Sequence, residues 1–121
     1  MRLYILIATI LFSGNALALD LETFRLKTGH NLVELCSLPA DDPLHVRAME
    51  FCNGYLAGAY HYYNASAPSS GRFVCAPNPA PAPADVIKGF VAWAQSHPQY
   101  LDDRPVDSLF RYLAGSYPCM G

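Results

Sequence analysis

Four cysteines, four histidines, two adjacent aspartate pairs and a cluster of tyrosines are the residues of this 121-residue chain whose chemistry could define a function. Cys36, Cys52, Cys75 and Cys119 could bind a metal or close disulfides. Structural zinc sites usually present close ligand pairs such as C-x-x-C. No such pair occurs here and no histidine sits beside a cysteine, so two disulfides are the favoured reading and no metal is expected. Four cysteines allow three connectivities. The histidines His30, His45, His61 and His97 fall in no H-x-x-x-H or H-E-x-x-H arrangement. Neither a G-x-S-x-G elbow nor a glycine-rich phosphate loop is present. Glycosidic chemistry needs two facing carboxyl groups, whereas Asp41-Asp42 and Asp102-Asp103 are neighbours in loops, where capping and solvation explain them better. The expectation is a protein without catalysis and without a cofactor.

Recognition is better represented than catalysis. Tyr60, His61, Tyr62 and Tyr63 crowd one end of a long helix, and a single helix face cannot bury all four, so Tyr60 or His61 should face outward. Tyrosine supplies rigid area with a polar tip and is favoured at protein interfaces. Tyr100-Leu101 is a second candidate, an apolar loop tip followed by Asp102 and Asp103 and able to enter a partner's cleft. Tyr60, His61, Tyr100, Leu101, Asp102 and Asp103 are therefore the expected partner-binding residues. With 8 Lys+Arg against 10 Asp+Glu, the chain lacks the basic footprint of nucleic-acid binding.

Positioning these residues falls to a single small domain. The chain is 52% hydrophobic and 15% charged, too apolar for disorder. Part of that apolar content precedes the domain. Arg2, the uncharged run Leu3–Phe12 and the small-x-small sequence Ala16-Leu17-Ala18 form the pattern of a secretory signal peptide over residues 1–18. The run is shorter than the roughly 20 residues needed to span a bilayer. Residues 19–121 would be the mature domain, with no membrane association, in an oxidising compartment where disulfides persist.

Four helices are expected. Thr28 caps a short helix ending near Cys36 and Pro39. Asp42-Pro43 opens a second, running to about Asn64, with Ala48, Met49, Cys52, Tyr55, Leu56, Ala59, Tyr62 and Tyr63 as its apolar stripe. Gly54 and Gly58 weaken it by about 1 kcal/mol each, tolerable if another helix packs closely there. Alternating prolines at about 76–83 form an extended connector. A third helix covers Ala84–His97 and Pro98 ends it. Pro105 starts the fourth, whose stripe is Val106, Leu109, Phe110, Leu113 and Tyr117. The short link between the first two helices implies a hairpin that brings Cys36 beside Cys52. Cys75 and Cys119 then clamp the two ends of the second half. In the chain-entropy model these loops contribute roughly 3 and 4 kcal/mol. The fold class is all-α, a small disulfide-bonded bundle of about four helices.

The assembled pattern resembles the Rap/Tai family of periplasmic immunity proteins of the bacterial type VI secretion system. The resemblance rests on Thr28-Gly29-x-x-Leu32 with Leu35-Cys36, then on Cys52-x-Gly54-Tyr55-Leu56-x-Gly58. It continues through Phe73-x-Cys75-x-Pro77 and His97-Pro98 to Tyr117-Pro118-Cys119, so it covers about Phe24 to Cys119. It implies a periplasmic homodimer that binds a toxic peptidoglycan amidase and blocks its active-site cleft. The segment matching the family's cleft-entering loop is Gln99–Arg104. Two features depart from the family pattern: the prolines at 77–83, and tyrosine and histidine in place of an acidic residue near the end of the second helix. The alternatives are a small periplasmic acid-stress chaperone, which would expose apolar surface on protonation, or a housekeeping envelope binding protein.

Overall fold

Capping explains where the first helix begins. In the computed structural model, which describes residues 22–120, helix α1 (Gly29–Cys36) follows Thr28 in extended conformation. The Asn31 carboxamide oxygen accepts the backbone N–H groups of Lys27 and Thr28 at 3.0 and 3.2 Å, so the chain is fixed as it enters the helix. The export-signal expectation for residues 1–18 lies outside the described residues.

Helix α2 (His45–Ser66) starts two residues later than Asp42-Pro43 suggests. Asp42 instead makes a turn: its carboxylate accepts the Leu44 N–H at 2.8 Å and its carbonyl accepts that of His45 at 3.0 Å. His45 anchors the helix start by donating from Nδ1 to the Leu38 carbonyl at 2.7 Å. Residues 76–82 carry no helix, and α3 (Pro83–Ser96) begins at a proline suited to a first turn. Helix α4 (Pro105–Ser116) begins the same way. The expected all-α bundle of four helices is what forms.

Helix α1 is the shortest of the four and packs against all three others. Its Leu32 and Leu35 are completely buried. Cys36, Cys52, Leu56, Ile87, Phe90, Leu109 and Tyr112 complete the centre of the core. The disulfides are Cys36–Cys52 and Cys75–Cys119, the pairing that the hairpin and clamp argument favours. Beside the second, Val74 and Pro118 form an isolated antiparallel bridge, and Cys75 N–H donates to the Tyr117 carbonyl at 2.9 Å.

Two expectations for α2 do not hold. Tyr62 is 76% exposed rather than part of the buried stripe. The face carrying Gly54 and Gly58 is open, with nothing within 4 Å of where their Cβ atoms would lie. Only one side of this helix meets α1, α3 and the chain after residue 71, so its last turns half-bury Tyr60 beside the expected Tyr63 and turn the small residues to solvent.

Candidate protein-interaction site

The turn between α3 and α4 is built on stacked rings. His97 donates from Nδ1 to the Trp93 carbonyl at 2.8 Å, which lays its ring on Trp93 with centroids 4.6 Å apart and planes 12° apart. Pro98–Tyr100 forms a 3₁₀ turn. It brings Tyr100 parallel to Trp93 at 6.2 Å, and the Arg111 guanidinium lies over the Tyr100 ring at 4.3 Å from its centroid. Such a cation over an aromatic face contributes about 0.5–1 kcal/mol where exposed.

Helix α1 then grips the turn. Gly29 N–H donates to the Asp103 carbonyl at 2.9 Å and His30 N–H to the Leu101 carbonyl at 3.1 Å. These are amides that the first turn of a helix leaves without internal partners. From α4, the fully buried Ser108 donates its hydroxyl to the Tyr100 carbonyl at 2.6 Å. Three backbone carbonyls of the turn, those of Tyr100, Leu101 and Asp103, are thus held from two helices.

Its acidic side chains are outside. Asp102 is 87% exposed and lies 3.2 Å from His30 Nε2. Asp103 meets Arg111 in one 3.5 Å contact. Asp107, in the first turn of α4, is held by Arg104 through two contacts of 2.7 and 3.1 Å, and this hydrogen-bonded carboxylate raises the Arg104 pKa.

Leu101 corrects the expected apolar tip, since it is 6% exposed. It plugs the space beneath the turn where α1 approaches, and Tyr100 is half-buried beside Trp93 and Arg111. What the turn presents is carboxylate, with only the edge of an aromatic ring. Tyr60 and His61 do not join this site. The Tyr60 hydroxyl accepts the Ala76 N–H at 3.3 Å, and that of Tyr63 accepts Phe73 and Val74 N–H at 2.7 and 3.1 Å. These phenols tie the chain after residue 71 to α2. Tyr60 and the exposed His61 border an apolar groove of about 320 Å³ between α2 and the proline connector, floored by Leu56, Val74 and Leu113.

Another hollow, of about 380 Å³, adjoins the turn and is lined by Phe73, Asp103, Asp107, Phe110, Arg111 and Ala114. Phe73 stands in the sequence pattern only as part of the family motif, Asp107 and Arg111 carry no sequence expectation, and Phe110 is expected in the buried stripe. The spacing Arg104, Asp107, Arg111 was the available signal, because residues three and four apart share a helix face. Among the described residues no group of three or more His, Cys, Asp or Glu is placed to hold a metal, and every cysteine is in a disulfide. The most perturbed side chain is structural. Burial, and next the Tyr117 hydroxyl, push the Tyr112 phenol up to about 12. Burial also raises Tyr55, helped by the Asp107 charge.

The family model of Rap1a immunity proteins matches residues 28–119, from the cap of α1 to the last cysteine. No curated protein and no solved structure matches the chain.

Proposed function

Since the chain belongs to the Rap1a immunity protein family, whose members act by binding a toxin, we propose that it inhibits a peptidoglycan amidase delivered by type VI secretion, by placing the α3–α4 turn in the amidase's active-site cleft. The observation that carries this reading is the turn itself: two adjacent carboxylates, Asp102 and Asp103, project from a backbone clamped by Gly29, His30 and Ser108. A wedge already held in its bound shape loses little entropy on binding. Tyr100, Asp102 and Asp103 are the contacts in this reading. Leu101 supports them from below. A toxin that also covered the far end of α2 would meet Tyr60 and His61.

The proposed setting is the periplasm, reached through the export signal at 1–18, with residues 19–121 acting as one domain and as a homodimer. Two disulfides fit an oxidising compartment. No helix among the described residues is long and apolar enough to cross a membrane.

The test is titration of a purified type VI amidase effector with the oxidised mature protein while peptidoglycan hydrolysis is followed. Hydrolysis should stop at a stoichiometric ratio, and the double variant Asp102→Lys/Asp103→Lys should bind at least tenfold more weakly. Full hydrolysis in the presence of excess protein would overturn the reading.

A further inference from the structure

The hollow beside the turn has the chemistry of a socket for a basic side chain. Part of its lining is aromatic. Phe73 is 52% exposed, with its ring held at 5.3 Å from Tyr63 and 6.2 Å from Phe110. Asp103 and Asp107 also line it, together with Arg111. These carboxylates are not equally engaged. Arg104 takes both oxygens of Asp107 in hydrogen bonds, whereas Arg111 meets Asp103 Oδ2 at 3.5 Å and, among the described residues, no hydrogen bond to Asp103 Oδ1 forms. Arg111 is committed elsewhere too, with its guanidinium over Tyr100. Asp103 Oδ1 therefore keeps its acceptor capacity for a second cation.

A lysine or arginine matches both kinds of lining at once. Its aliphatic stem would lie against apolar surface while its charged head reaches the carboxylate. The aromatic faces add attraction for the cation. A purely apolar side chain would leave Asp103 desolvated without a partner, which is costly. An acidic one would meet two carboxylates whose arginines are already engaged.

From this we infer that the Phe73–Asp103 hollow receives a lysine or arginine of the partner protein, making it a second, specificity-determining part of the surface that the α3–α4 turn begins. The inference rests on the reading of the turn as the toxin-binding element, because Asp103 belongs to both. Phe73 is the anchor and Asp103 the charge partner. Both touch one incoming side chain, so their contributions are coupled.

The experiment is calorimetric titration of a purified type VI amidase effector with the native mature protein and with Phe73→Ala, Asp103→Asn, the double variant, and Ala114→Arg. The last places the protein's own cation in the lining of the hollow and leaves Phe73 in place. Thermal melts accompany each titration, so that loss of folding is recognised. Phe73→Ala, Asp103→Asn and Ala114→Arg should each weaken binding tenfold or more, and the double variant should lose less than the product of its two single losses. Unchanged affinity of Ala114→Arg, in a chain whose Asp102→Lys variant no longer binds, would overturn the inference while leaving the turn as the binding element. Absence of binding by the native protein would remove both.

Discussion

Gly29 decides how closely α1 can approach the turn. A Cβ at that position would overlap the Ser108 hydroxyl and stand 3.2 Å from the Leu101 Cα. Backbone atoms cannot move aside as a flexible side chain can, so Gly29→Ala should lower unfolding free energy by about 1–3 kcal/mol, read as a lower urea midpoint. Ser108→Ala should cost about 1–3 kcal/mol by leaving the Tyr100 carbonyl without its donor. Tyr112 sets a limit on alkaline stability. Its phenol titrates near 10 in the unfolded chain and at about 12 in the fold. Between those values the unfolded state binds fewer protons, so stability falls as pH rises. Below pH 10 the contribution is fully present. Urea midpoints measured from pH 9 to 12 should fall less steeply in Tyr112→Phe than in the native chain. The sequence marks Gly29 and Tyr112 only as a glycine after a cap and an aromatic residue in a helix. What they do depends on α4 crossing α1 and α3, which no local pattern records.

The elements differ in how they are exposed to chemical attack. Cys36 and Cys52 are 4% and 0% exposed, while Cys75 lies at the surface. A soluble phosphine should therefore open Cys75–Cys119 first, visible as selective alkylation of that pair by mass spectrometry. Equal rates for the two bonds would show that the core opens as readily as the surface. Releasing Cys75 leaves the segment from Phe73 to Ala76 held by the Tyr63 and Tyr60 hydroxyls and the Val74–Pro118 bridge. Helix boundaries were legible wherever a cap or proline acts locally, as at Thr28, Pro105 and Pro118. The start of α2 was not, because Asp42 has the side chain of a cap and uses it to close a turn. The outward face of α2 was also illegible. Apolar spacing there admits two stripes, and Tyr63 with Tyr60 are drawn partly inward because their hydroxyls find backbone donors after residue 71.

At the scale of the molecule, the acidic turn, the aromatic hollow and the groove beside the proline connector are products of one arrangement around α1. If the protein is the homodimer proposed, light scattering after size-exclusion chromatography should give twice the mature mass at micromolar concentration. A single-chain mass across that range would leave a monomeric inhibitor. The sequence by itself determined the four-helix class and the family, because caps, prolines, periodicity and motif spacing act over short stretches of chain; it favoured the pairing of the cysteines, which the fold then fixed. Only the tertiary structure decided that Leu101 is a plug, that Tyr62 faces solvent, and that Phe73 and Asp103 line one hollow. Those outcomes depend on which helix faces meet, and burial there is settled by neighbours many residues distant in the chain rather than by the residue's own type.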